Sequence, residues 1–314
     1  MTAVNRKTII GRAKNYANLA KSLFCLGVLI ISLIFRDEIR QGVISGLHAS
    51  ADSILPTIFP FLIFADLFAT VDFRGKVAMI YERITHLPAA TFGGFLCGNI
   101  CGFPAGSRIL SKLYDGGAIN REQAELSLQA VTNPSLIFTV SAVSSILGYS
   151  LTEGLVVYFT TQLSSLIVAR IFVKKQIFSL KSVEITRQSF NLNESIRSAG
   201  IGAISIGAYV TFFSALVSLI SAGAELPPIL ALVASFLELG NGVLYISACG
   251  NFNDLSIPLL GFAFGFSGVS VYMQVMGEFG GRISGKKYLF QKLMQGIICG
   301  LFLFLLSQTT TLFA

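Results

Sequence analysis

The chain has 314 residues, of which 53% are hydrophobic and 12% charged, and its formal net charge is +7. Soluble domains carry roughly 25% charged residues, so this composition excludes an ordinary soluble fold. The basic residues sit in short polar gaps beside apolar runs, where Lys and Arg fix membrane orientation, and that placement argues against a nucleic-acid surface.

Arg6, Lys7, Arg12, Lys14 and Lys21 precede an apolar run from Ser22 to Phe35. That order is also the order of a secretory signal. However, Arg36-Asp37-Glu38-Ile39-Arg40 follows where a small-residue cleavage site would stand, and Ala49-Ser50-Ala51 lies far beyond the run. The expectation is an uncleaved first span reaching back to about Tyr16, with Lys21 snorkelling to the interface.

Counting 19–35 as the first run, others follow at 43–71, 88–113, 125–149, 151–173, 195–222, 227–250, 255–279 and 293–313. Runs of roughly 20 apolar residues match a hydrocarbon core of about 30 Å. Three basic clusters are expected on the cytoplasmic side: the N-terminus, Arg170 to Arg197, and Arg282 to Lys292. An even number of full spans must separate neighbouring clusters, so one run in each interval cannot cross. In the first interval the run 88–113 is the one interrupted, by Pro88, Gly93, Gly94, Gly98, Gly102, Pro104 and Gly106, and ended by Arg108 and Lys112. In the second, 227–250 carries Pro227, Pro228, Glu238, Gly240 and Gly242. Such segments fit re-entrant hairpins, tolerated where protein or a polar cavity covers their backbone.

The expected fold is therefore an all-α polytopic membrane protein, with about seven full transmembrane helices plus two re-entrant hairpins in an inverted repeat. Residues 1–40 form the cytoplasmic N-terminus and first span, 41–175 the first repeat, 176–193 a basic cytoplasmic linker and 194–314 the second repeat. The hairpins fall at about 88–113 and 227–250, with the N-terminus inside and the C-terminus outside. Weak echoes keep the same order: Ala51 to Asp66 against Gly202 to Val217, Phe95–Asn99 against Phe236–Asn241, and Asn133-Pro134-Ser135 against Ser267-Gly268-Val269. Paired interruptions at corresponding positions point to a transporter's binding site.

Four interruptions carry the candidate residues. At Asn99, Gly102, Pro104, Gly106 and Ser107, a hairpin tip exposing backbone N–H groups competes with a glycine packing face of period four. Pro134 must break or kink its helix, and Asn133 and Ser135 flank it, so a substrate-facing break competes with an ordinary kink. Glu238 beside Asn241 is either a coupling carboxylate or one half of an ion pair, with Arg108 as the partner considered. Ser267, Gly268, Ser270 and Gln274 either bond a ligand or back-bond their own helix. Asp66, within an apolar run, is a weaker candidate.

No Walker A, nucleophile elbow, two-His helix or dinucleotide fingerprint occurs, so the expectation is a protein that is not an enzyme and takes no cofactor. A coupling ion, H+ or Na+, stays open. The five cysteines form no spaced framework and read as small helix residues; with only His48 and His86 present, no metal site is expected.

Read together, Cys101-Gly102-Phe103-Pro104-Ala105-Gly106, Leu113-Tyr114-Asp115-Gly116-Gly117-Ala118-Ile119, Glu122-x-x-Glu125, Asn133-Pro134-Ser135-Leu136-Ile137-Phe138, Glu238-Leu239-Gly240-Asn241-Gly242 and Gly265-Phe266-Ser267-Gly268 cover most of 42–280. In this order they resemble the nucleoside-recognition (Gate domain) membrane proteins, and within them the sporulation integral membrane protein YlbJ group. The resemblance implies a fold similar to the core of concentrative nucleoside transporters, with two hairpins and two broken helices meeting at mid-membrane. It also implies a role in spore formation in the bacterial cytoplasmic membrane, of forespore or mother cell, moving dipicolinate or a similar planar anion. Helix N-termini at hairpin tips suit such a dianion. A nucleoside or other metabolite carrier and a non-transporting sporulation scaffold are the alternatives. The expected partners are the lipid bilayer, the carried solute and a second copy of the chain.

Overall fold

The computed structural model describes residues 19–173 apart from 20, 24, 72 and 74, and residues 190–222, 227–249, 253–310, 312 and 313. The N-terminal basic stretch and most of the 176–193 linker lie outside the described residues, so the cluster Arg170 to Arg197 is described only at its ends.

Among the described residues every regular element is helical. We label them α1 Arg36–Thr70, α2 Lys76–Thr85, α3 Phe92–Cys101, α4 Phe103–Asp115, α5 Arg121–Val131, α6 Leu136–Ser141 and α7 Leu151–Phe172. They continue as α8 Leu192–Ser221, α9 Pro227–Leu237, α10 Leu239–Ala248, α11 Asn253–Phe266, α12 Gly268–Phe279 and α13 Lys286–Thr309. A π turn at Ser50–Ile54 interrupts α1, and another at Ala142–Ile146 extends α6.

Six segments are long and apolar enough to cross a bilayer: Arg36–Thr70, Arg121–Ile146, Leu151–Phe172, Leu192–Ser221, Leu255–Phe279 and Lys286–Thr309. This makes the chain a polytopic helical membrane protein. The expected seventh span, 19–35, appears as the shorter apolar helix Lys21–Ile34 and falls partly outside the described residues. The amphipathic α2 was not expected, because Lys76, Glu82 and Arg83 make its window read as a polar gap. It buries Ala78, Tyr81 and Thr85 and leaves Val77, Met79, Ile80 and Ile84 exposed.

Local chemistry sets the helix starts. Asn120 with Gln123, and Ser150 with Glu153, form reciprocal capping boxes at α5 and α7. Asn191 caps α8 and Ser135 caps α6. Gly102, with φ 102°, stops α3 and lets the chain reverse into α4, a conformation that L side chains resist.

Both interrupted runs are helical hairpins. Gly98 of α3 lies against Gly106 of α4, where a methyl group on Gly98 would come within 3.0 Å of the Gly106 Cα. In the second hairpin a methyl on Gly242 of α10 would come within 2.6 Å of the Ser235 Cα on α9. The long helices approach as closely. Gly42 and Gly46 of α1 pack onto Ala215 and Thr211 of α8, and Gly261 of α11 packs onto Gly300 of α13. Without a hydrophobic drive between helices in lipid, such small-residue contacts are what let backbones pack by van der Waals attraction.

Two charge assignments need correction. Lys292, counted in a cytoplasmic surface cluster, is 2% exposed inside α13. Arg108 does not pair with Glu238; it meets Asp66 instead. Local charge patterning groups Lys292 with its neighbours and the symmetry of the two halves suggests the partner of Arg108, but contacts between residues far apart in sequence decide both.

Candidate functional site

The break at Thr132-Asn133-Pro134-Ser135 leaves the last carbonyls of α5 without the N–H groups that a continuous helix would supply. Those of Gln129, Ala130 and Thr132 find donors elsewhere in the chain. Ser165 Oγ donates to Gln129 O at 2.6 Å. Pro134 has no N–H to offer Ala130 O, which accepts from Asn99 Nδ2 at 3.2 Å and Asn133 Nδ2 at 3.4 Å. Val131 O is lodged between the hairpin legs, where a methyl group on Gly98 or Gly106 would overlap it. Lys292 Nζ donates to Thr132 O at 2.7 Å.

These donors form one buried network. Asn133 Nδ2 donates to Asn99 Oδ1 at 2.9 Å and to Ser165 Oγ at 3.0 Å. Gln295 Nε2 donates to Asn133 Oδ1 at 2.9 Å and to Thr161 O at 3.1 Å. Gln295 Oε1 accepts from Gln129 Nε2 at 2.7 Å and from Lys292 Nζ at 2.9 Å. Tyr158 OH donates to Asn99 O at 3.0 Å. Lys292 has no carboxylate partner among the described residues. The C-terminal end of α5, where the helix dipole is negative, faces it instead.

The second break is built differently. Ser267 takes a left-handed conformation with φ 68°, and Gly268 follows at φ 88°. A methyl on Gly268 would come within 3.1 Å of the Glu238 Cα, so this break abuts the tip of the second hairpin. Glu238 caps α10: its carboxylate accepts from Gly240 N at 3.0 Å, Asn241 N at 2.7 Å and Asn241 Nδ2 at 2.9 Å. Asn241 Nδ2 also reaches Ser214 Oγ at 2.9 Å. Glu238 is an N-cap, and of the two readings weighed for it the ion pair with Arg108 does not form.

A third polar cluster joins α1, α4, α8 and α12. Arg108 Nε and Nη2 donate to the Asp66 carboxylate at 2.6 and 2.9 Å, and Nη2 also donates to Ser198 Oγ at 2.6 Å. Lys112 lies 2.8 Å from Asp66, and Glu278 lies 3.9 Å from Arg108. Asp66, Lys112, Asp115, Glu194 and Ser198 help line a cleft of about 220 Å³. Arg282 pairs with Asp115 at its edge.

The structure thus brings Asn99 and Asn133 into one network and sets Gly102 beside Ser135, where a methyl group on the glycine would stand 3.5 Å from the Ser135 Cβ. It unites Glu238 and Asn241 beside Gly268. Pro104 lies in the first turn of α4, and Ser107 bonds back to Phe103 O and Pro104 O. Ser267 likewise bonds to Phe264 O, while Gln274 Nε2 donates to Ser270 Oγ and Gln274 Oε1 is buried without a partner. Of the candidates named from the sequence, Asp66, the weaker one, lines the 220 Å³ cleft, and those of the four interruptions do not.

Lys292, Gln295, Gln129, Thr161, Ser165 and Tyr158 were not anticipated. The available signal was the polar spacing Tyr288, Gln291, Lys292, Gln295 inside a helix otherwise apolar, which puts polar groups on one face.

The class that the fold defines is a polytopic all-helical membrane protein. No protein-family model, curated protein or solved structure matches the chain.

Proposed function

We propose that the chain is a secondary-type membrane carrier of a small organic solute, with a planar anion of the dipicolinate kind as cargo and spore formation as its setting. In this reading the two hairpins are re-entrant, the halves 41–175 and 194–314 are inverted repeats, and the protein sits in the bacterial cytoplasmic membrane. The single observation that carries it is Lys292: a buried ammonium with no carboxylate partner among the described residues, bonded to the break of α5 and α6. A charged group within a bilayer is costly, and its retention points to a solute or ion path. The positive charge there favours an anion through its field and not through a hydrogen bond, because the Lys292 donors are taken by Thr132 O, Gln295 Oε1 and Asn133 Oδ1. Support for the paired halves comes from geometry: each hairpin tip abuts a helix break, Gly102 at Ser135 and Glu238 at Gly268.

A non-transporting membrane scaffold is the second reading. It is favoured by the glycine contacts of Gly42, Gly46 and Gly261, which pack long helices closely against one another.

The test is the thermal midpoint of the purified protein against dipicolinate, nucleosides and simple dicarboxylates. A ligand of the native state at a hundredfold excess over its dissociation constant adds about 2.7 kcal/mol. Dipicolinate is expected to raise the midpoint, and Asn133→Ala and Asn241→Ala to abolish the rise. A rise with nucleosides alone would make the cargo a nucleoside. No rise with any compound would favour the scaffold.

A further inference from the structure

The surroundings of Lys292 hold a second piece of chemistry, independent of which solute is carried. Its Nζ faces Thr132 O at 2.7 Å, Gln295 Oε1 at 2.9 Å and Asn133 Oδ1 at 3.4 Å. All three are neutral oxygens, one from a main-chain carbonyl and two from amides. An ammonium has three N–H groups, so the cradle matches it donor for acceptor.

The oxygens are also aimed. Gln295 Nε2 is occupied by Asn133 Oδ1 and Thr161 O, and Asn133 Nδ2 by Asn99 Oδ1 and Ser165 Oγ. With both amide nitrogens committed elsewhere, Gln295 Oε1 turns to Nζ at 2.9 Å, and Asn133 Oδ1, which accepts from Gln295 Nε2 at 2.9 Å, stands 3.4 Å from it. Outer partners that fix the orientation of inner ligands are a hallmark of built ion sites. Gln129 adds to this by donating to Gln295 Oε1, and its own buried Oε1 has no partner. Hard oxygen donors suit hard cations, and the lack of a carboxylate restricts the set to a single positive charge.

We propose that the break between α5 and α6 is a monovalent-cation site whose resident cation is the Lys292 ammonium. The chain carries its own cation on a tether. Neither sodium nor potassium is then needed to hold α5, α6 and α13 together, and shortening the tether opens a vacancy that a free cation fills.

The test compares thermal midpoints of wild type, Lys292→Ala and Lys292→Met in choline, sodium, potassium and methylammonium chloride at one ionic strength. The wild type is expected to be indifferent to the cation. Lys292→Ala is expected to be destabilised in choline and to recover saturably with at least one of the three small cations. Lys292→Met, which fills the tether's volume without charge, is expected to stay unresponsive. The proposal is overturned if Lys292→Ala responds to none of the three or stays unfolded in all of them. A response of equal size in Lys292→Met or in the wild type overturns it too, because the cation would then be acting elsewhere.

Discussion

Lys292 and Thr132, 160 residues apart in the chain, meet through a 2.7 Å hydrogen bond from the ammonium to the main-chain carbonyl. This bond ties α13 to the one place where α5 has been opened by Pro134, so the last span of the protein answers a break made in its first half. Replacing Lys292 by Met removes a buried charge, which by itself is often neutral or stabilising. It also leaves Thr132 O without its donor, while Gln295 Oε1 keeps the bond from Gln129, and an unsatisfied buried group costs about 1–3 kcal/mol. A net loss of about 2 kcal/mol is expected, read as a lower unfolding midpoint in detergent; a gain in stability would mean that the cost of burying the charge outweighs the bond.

Gly98 and Gly106 are expected to be the least tolerant glycines of the first hairpin. Either methyl group would overlap Val131 O, which is main-chain and cannot swing aside. Overpacking costs about 1–3 kcal/mol, and the upper end applies here. Gly94→Ala is the control, because the nearest atom to its new methyl would stand at 3.5 Å. Equal stability of Gly98→Ala and Gly94→Ala would contradict the lodged carbonyl.

The Asp66–Arg108 pair is bidentate and buried, with side-chain exposures of 1% and 5%. Removing Asp66 takes the close carboxylate from both Arg108 and Lys112, at a cost of about 3–5 kcal/mol. Arg108→Met leaves Asp66 paired with Lys112 and should lose less than Asp66→Ala, and the double variant should lose less than the sum of the two. Additive losses in the double-variant cycle would show that the two side chains act separately.

Glu238 can be separated from a coupling group by shape and charge. Asn and Asp are good N-caps, and loss of a cap to Ala costs about 0.5–2 kcal/mol. Glu238→Asn and Glu238→Asp should therefore retain more stability than Glu238→Ala, despite the lost charge in Asn. An Asn variant as unstable as the Ala variant would show that the negative charge, and not the cap, is what matters.

Much of this architecture was legible because its signals are local. Pro134 has no N–H wherever it sits, and Gly102 permits a reversal that few other residues would. The hairpin tips and helix breaks follow from such residues one at a time. What could not be read was pairing across the fold. Arg108 has several acids within a plausible distance in sequence, and only the packing of α1 on α4 selects Asp66 over Glu238. Lys292 follows Lys286 and Lys287, so charge patterning groups the three, yet α13 turns it inward while the other two stay exposed. Glu238 reads as a costly membrane carboxylate until the adjoining N–H groups of Gly240 and Asn241 are seen to receive it.

The most direct test of the account is solute counterflow in proteoliposomes. Purified protein is reconstituted with unlabelled dipicolinate inside, and entry of labelled dipicolinate is followed with no ion gradient imposed. Wild-type protein is expected to accumulate label transiently, and Asn133→Ala protein reconstituted to the same level is expected not to. Wild-type protein that accumulates neither dipicolinate nor any nucleoside or dicarboxylate would contradict the carrier reading.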